Sequence, residues 1–275
     1  DDEEMAEVHR KQGVYRGIGV RSEVLDARAL ADAEPNLRPG LAGALLVPDD
    51  AVIYPPCAAR FLLERARIDV RTGAARRLTG DAIYLRDGSF VNAGIVVNAT
   101  GAWAPELTPG IEVRKRKGHL AITDRYPGWI RHQLVELGYL KSAHSISTDS
   151  VAFNVQPRKT GQLLIGSSRQ YGAEHPAIDA PMLSRMLARA AEYMPKIGEL
   201  SVIRTWTGFR AATPDKLPLI GPSPANERLW LATGHEGLGI TTSLGTAKLL
   251  AAQITGQTPA IPCAPYLPGR TVAHA

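Results

Sequence analysis

The sequence predicts an α/β fold interrupted by an inserted antiparallel-sheet domain of α+β type, and three observations carry that prediction. Ile95-Val96-Val97 is apolar without alternation and ends in Asn98-Ala99-Thr100-Gly101, the pattern of a parallel strand buried on both faces that stops at a glycine. Positions 228–255 read as strand, glycine-rich turn and helix: Leu229-Trp230-Leu231-Ala232, then Gly234 to Gly239, then Ile240 to Ile254 closed by Gly256. Between these stretches, Val151 to Gln156 alternates apolar and polar, and Asp179 to Met194 repeats apolar residues at helical spacing.

Taken in order, Asp1-Asp2-Glu3-Glu4 opens a polar, helix-prone stretch for which no cap is expected, and it lacks the apolar run of a signal peptide. Leu25 to Glu34 reads as a short helix stopped by Pro35, and Ala44 to Val47 as a short strand. Ala58 to Ala66 is helical, with Ala59, Leu62, Leu63 and Ala66 on one face and Arg60 and Glu64 paired on the other. Ala82 to Leu85 and Phe90-Val91 flank Asp87-Gly88, a two-residue hairpin signal. From Ile111 to Arg210 the character becomes antiparallel: Val151, Phe153 and Val155 share one strand face, Arg158 to Gly161 turns, and Leu163-Leu164-Ile165 returns. The helix that follows places Leu183, Met186, Leu187, Ala190, Ala191 and Met194 on one stripe, with Asp179 as N-cap and Pro195 as stop. The tail, Gln257 to Ala275, has four prolines and no regular pattern.

Net charge of +5 and a pI near 9.3 raise the question of nucleic acid. The basic residues are scattered, and the one tight cluster, Arg114-Lys115-Arg116-Lys117, has neither interleaved aromatics nor a nucleic-acid module around it. It reads as a solvated loop, with a docking surface for a partner or an anionic substrate as the functional alternative. Cys57 and Cys263 match no disulfide framework, zinc or redox spacing, which makes the cytoplasm the expected compartment. No run reaches the ~18 apolar residues of a membrane span.

Two places carry chemistry. Gly237 and Gly239 would let a flat ligand approach the backbone just where the next helix offers its unpaired amides and positive dipole end; a plain tight turn is the bland alternative. Arg210 follows the apolar, aromatic run Trp206 to Phe209, a setting that asks for an anionic partner such as a substrate carboxylate, or else an internal acid such as Asp215.

Three motifs occur in fixed order: Val97-Asn98-Ala99-Thr100-Gly101-Ala102-Trp103; Gly208-Phe209-Arg210 with Pro214-Asp215 and Pro218 to Gly221; and Gly234-His235-Glu236-Gly237-Leu238-Gly239-Ile240. Together they resemble the FAD-dependent D-amino-acid oxidase family, which includes glycine oxidase, sarcosine oxidase and the D-amino-acid and hydroxyproline dehydrogenases. Gly138-Tyr139-Leu140-Lys141, Gly166 to Arg169 and Gly234 to Thr241 are most similar to the hydroxyproline dehydrogenase type. The resemblance implies FAD as cofactor and oxidation of the C–N bond of a small amino or imino acid by hydride transfer to the flavin.

Residue by residue, it implies that Thr100, Gly101 and Trp103 line the adenosine side or pack near the flavin. The backbone at Ala75, in a strand starting at Val70, would meet the adenine. His235, Glu236, Gly237, Leu238, Gly239, Ile240 and Thr241 would run along the isoalloxazine. Arg210 matches the carboxylate-binding arginine, and Asn154 falls where relatives face the substrate. No acid or base is implied as catalytic, and no metal. The implied FAD-binding domain covers 51–107 and 211–258, the substrate domain 14–50 and 108–210, and 259–275 is a tail. The family opens with a strand, G-x-G-x-x-G and a helix; these are missing from the sequence, so the FAD-binding domain is expected to be incomplete and its FAD affinity low. A non-catalytic or degenerate subunit of a heteromeric flavin dehydrogenase is the alternative, with residues 114–117 as the first candidate for a partner surface.

Overall fold

A computed structural model describes residues 1–138 and 149–270. In chain order the first elements are α1 (Asp2–Gly17), β1 (Glu23–Asp26), α2 (Ala27–Ala33), β2 (Gly43–Leu46) and α3 (Pro55–Ala66). They are followed by β3 (Ala75–Leu78), β4 (Ala82–Leu85), β5 (Phe90–Asn92), β6 (Val96–Asn98) and α4 (Ala104–Leu107). Next come β7 (Arg114–Arg125), β8 (Leu134–Val135), β9 (Ser150–Pro157), β10 (Gln162–Arg169) and α5 (Ala180–Tyr193). The chain ends with β11 (Val202–Ala212), β12 (Leu219–Ser223), β13 (Asn226–Thr233) and α6 (Gly239–Ile254). These elements form two compact units, one of residues 1–54, 118–171 and 175–208, the other of 55–117, 172–174 and 209–275.

The first unit is built on a five-stranded sheet in the order β11-β7-β10-β9-β8, with β10 antiparallel to both neighbours. The odd positions of β9 point to one side, where Phe153 and Val155 join Leu163, Ile165 and Ala121 against Met186 and Ala190 of α5 and Met194 at its C-cap. Each fully buried Val, Leu, Ile, Phe or Met among them contributes about 1.5–3 kcal/mol. Asp179 caps α5, its carboxylate accepting from the Met182 amide at 2.9 Å. Buried Glu136 ties α5 to the sheet: it accepts from the Phe153 amide at 2.6 Å and the Tyr193 hydroxyl at 3.0 Å, and pairs with Arg189. Burial, then the neighbouring Glu136 charge, push the Tyr193 phenol up to about 12.

The second unit contains a three-stranded sheet, β12-β13-β6, in which β13 runs parallel to β6 and pairs Leu229 with Val96 and Leu231 with Asn98. Ile220, Leu249 and Leu250 seat α6 on this sheet. Ala102, Val113, Ala211, Leu219 and Leu231 form a second cluster. β3, β4 and β5 make a separate antiparallel sheet.

Several local expectations change. α1 does have a cap: the Asp1 carboxylate accepts from the Glu4 amide at 2.8 Å, and the Glu4 side chain closes the capping box. Leu25 belongs to β1, and the following helix starts at Ala27 behind the Asp26 cap. The hairpin at Asp87-Gly88 has a three-residue connection, because Leu85 and Ser89 still pair. Ala75 opens its strand; Val70 lies outside it. The helix at Ala58 begins earlier, at Pro55, and makes the expected Arg60–Glu64 pair at 2.6 Å. Its apolar residues are open, Leu62 being 49% exposed. β6 is buried on one face only, since Val96 is buried and Val97 is 40% exposed. The tail folds back, Cys263 and Tyr266 packing on the α6 cluster. Most consequentially, residues 114–117 are no solvated loop: they begin β7, and Arg116 and Lys117 are buried. Tyr139 to Lys141 lie outside the described residues.

Candidate functional site

β6 and β13 run parallel, so both deliver their following loops to the same end of the sheet, the carboxyl end where open α/β sheets bind ligands. After β6, buried Asn98 organises the loop. Its amide donates to the Ala104 carbonyl at 3.0 Å and the Thr108 hydroxyl at 2.8 Å, while its Oδ1 accepts from the Thr100 hydroxyl at 2.7 Å. Gly101 follows, and its carbonyl accepts from the Thr233 hydroxyl at 2.9 Å, which joins this loop to the end of β13. Trp103 is half exposed and meets Phe209 edge-on, with ring centroids 5.9 Å apart. Lys115 lies 5.6 Å from the Trp103 ring and 3.1 Å from Glu106.

The loop after β13 is the glycine-rich turn, and its glycines divide into two kinds. Gly234 has φ +82, and a Cβ there would lie 2.7 Å from Thr213 Cγ2, so the fold itself requires glycine. Gly237 and Gly239 have no left-handed backbone. A Cβ on Gly239 would meet nothing nearer than 3.6 Å, and one on Gly237 nothing nearer than 3.8 Å, the nearest atom there being Nε of Arg210. Neither the turn nor internal packing asks for glycine at these two positions. Besides Gly234, the left-handed residue of the turn is Glu236, with φ +48.

α6 starts at Gly239, and no side chain caps it. Its first-turn amides face a stretch in which Leu238, Ile240 and Thr241 are exposed. His235 is half-buried; burial lowers its pKa, and its Nε2 lies 2.8 Å from the Thr246 hydroxyl. Buried Arg116 of β7 forms an ion pair with Glu236. Asp215, the internal acid considered for Arg210, is engaged at both oxygens by Arg270, at 2.7 and 2.8 Å.

Thus the fold gathers Thr100, Gly101, Trp103, Arg210 and residues 235–239 around one end of one sheet. Ala75 is on the separate β3-β4-β5 sheet of the same unit, paired with Leu85. Asn154 belongs to the other unit, on the β9 face opposite Phe153 and Val155, and its Oδ1 is buried without a hydrogen-bond partner among the described residues. Arg116 was missed as a site residue. The signal was the continuation of the basic run into the short apolar run Leu120-Ala121-Ile122, which is consistent with a buried strand.

With this geometry, residues 1–253 match the family described as DAO, FAD dependent oxidoreductase, and the chain belongs to that family. It is similar to glycine oxidase of Pseudomonas putida, 28% identical over 260 residues that cover 89% of this chain and 67% of the relative. It is also similar to hydrogen cyanide synthase subunit HcnC of Pseudomonas aeruginosa, 30% identical over 90% of this chain and 59% of the relative. The crystal structure of glycine oxidase from Geobacillus kaustophilus superposes with a TM-score of 0.84 at 26% identity, covering 99% of this chain and 73% of that one. The chain therefore spans about 59 to 67% of the length of the two curated relatives. The cofactor of the family is FAD. Among the described residues no helix is long and apolar enough to cross a membrane, and no group of metal-binding side chains occurs.

Proposed function

We propose that this chain is the flavin- and substrate-handling part of an enzyme that oxidises the C–N bond of a small amino or imino acid, a D-amino acid, glycine or a hydroxyproline-like compound. One observation carries the reading: Gly237 and Gly239 are glycines that neither backbone conformation nor internal contact explains, at the uncapped start of a 16-residue helix. Such a face suits a flat, electron-rich ring, because the amides and the helix dipole favour negative charge there. These residues fit FAD.

In this reading His235, Glu236, Gly237, Leu238, Gly239, Ile240 and Thr241 lie along the isoalloxazine. Thr100, Gly101 and Trp103 lie toward the adenosine side, and the Ala75 backbone meets the adenine. When bound, FAD supplies the two-electron acceptor for the C–N bond. Arg210, beside Gly237, grips the substrate carboxylate at two points. Asn154 is a substrate-facing residue of the first unit on its own observation, a buried Oδ1 with no hydrogen-bond partner among the described residues. Burial lowers the His235 pKa, which favours the neutral imidazole. An amine that arrives unprotonated needs no base from the chain.

The test is anaerobic mixing of the FAD-loaded protein with glycine, sarcosine, a D-amino acid and a hydroxyproline. Bleaching of the flavin by one of these supports the reading; an unchanged spectrum with all of them, in a protein that retains its flavin, defeats it. A second reading, a subunit of a heteromeric flavin dehydrogenase, is favoured by the likeness to HcnC and by the open apolar residues of α3. Copurification of a stoichiometric second chain would favour that arrangement.

A further inference from the structure

We propose that Arg116 is a positioning residue, which holds the ligand-facing turn in shape through its ion pair with Glu236. This rests on the reading of residues 235–239 as the flavin-facing element. Glu236 is the one residue of that turn that would be better as glycine for the backbone alone, since φ +48 disfavours any residue with a Cβ. What glycine cannot supply is the carboxylate, and that carboxylate is bound. Its partner is a guanidinium whose side chain is 4% exposed, against 22% for Glu236. The arginine sits on β7, a 12-residue strand, so it offers a fixed anchor for a turn that is otherwise short and rich in glycine.

The consequence reaches both recognition elements. The next residue, Gly237, lies beside Arg210, and Gly239 opens α6. A turn that loosens at Glu236 therefore shifts the first-turn amides of α6 and the surface against which Arg210 rests. Lys115, one position earlier on β7, engages Glu106 and the Trp103 ring in the same manner. Lys115 and Arg116 of the basic run thus work as internal ties, each holding a different part of the carboxyl end of the sheet.

The test compares Arg116→Leu, Glu236→Gln, Glu236→Gly and the double variant Arg116→Leu/Glu236→Gly with the parent protein. Hydrogen exchange is read without flavin, and FAD affinity is read by fluorescence titration. Arg116→Leu should speed exchange of the amides at 235–241 and weaken FAD binding, each by about tenfold or more, because it removes the buried guanidinium that ties the carboxylate of a left-handed turn to β7. Glu236→Gln should fall between the two, which keeps the idea testable should Arg116→Leu fail to fold. The double variant should return both readouts to within about threefold of the parent, since glycine accepts the turn without its tie. Exchange at 235–241 that is unchanged in Arg116→Leu, or a double variant as impaired as the single one, overturns the proposal. If even the parent protein binds no FAD, the flavin reading fails, and the exchange measurement still decides the role of Arg116.

Discussion

The α5-backed sheet of the first unit and the parallel sheet of the second show opposite uses of apolar surface. In the first, the stripe of α5 meets a sheet face directly, and Met186, Ala190, Met194, Phe153 and Val155 are all buried. In the second, α3 buries none of its residues, Val97 is open on β6, and Ile240 and Leu244 are open on α6. Closed packing makes a scaffold, while an uncapped helix start with open glycines beside it makes a place for a ligand. The candidate ligand contacts Thr100, Gly101, Trp103, Arg210 and residues 235–239 accordingly gather in the second unit.

The sharpest way to break this contrast is Arg210→Leu. Losing a charge-assisted, two-point carboxylate contact costs about 2–5 kcal/mol, so capture of an amino acid should weaken by roughly 30-fold to several thousand-fold. An amine of matched structure without the carboxylate should lose far less. Steady-state kcat/KM for the pair, together with a melting curve, checks this; equal losses with a lower Tm would make Arg210 a structural residue.

Paired truncations probe the scaffold side. Met186→Ala removes a fully buried side chain and should cost about 2–5 kcal/mol, whereas Leu62→Ala on open α3 should stay within about 0.5 kcal/mol. Urea unfolding of the two variants measures both. Comparable losses would mean that α3 is covered in solution.

Gly239→Val tests the open turn. Its Cβ has room inside the chain, so far-UV dichroism should remain near that of the parent while flavin content falls, by roughly tenfold for a branched side chain placed against a flat ligand. Full flavin occupancy would leave the glycine unexplained.

The smallest effect concerns acid. Arg270 holds Asp215 below the ordinary carboxylate value of 3.8, chiefly by hydrogen bonding. A lowered folded pKa gives stability that is complete above 3.8 and lost as pH falls through the folded value. Arg270→Met should therefore destabilise the protein near neutral pH, with the gap to the parent closing below pH 3.8. A gap that is the same in acid would assign the loss to packing.

Much of this was legible in the sequence, for reasons that particular residues make plain. The α5 stripe was readable because helical spacing and a capping aspartate agree, and the α/β class because β6 and β13 each run into a loop that carries glycine, Gly101 and Gly234. The glycine-rich turn was visible as a pattern, but not which of its glycines the fold requires; that depends on Thr213 approaching Gly234 from another loop. Four consecutive basic residues look alike whether solvated or folded inward, so the burial of Arg116 emerged only with its partner 120 residues away. Nor can a three-residue apolar run tell whether one face or two will be covered, which is why Val97 was misread.

The central claim is that FAD meets the turn of the second unit and the start of α6. Hydrogen exchange of the protein with and without FAD tests it most directly. The account predicts slower exchange at residues 235–242 on binding, with α5 at residues 180–193 unchanged. Protection confined to α5 and the sheet beneath it, with residues 235–242 unaffected, would contradict it.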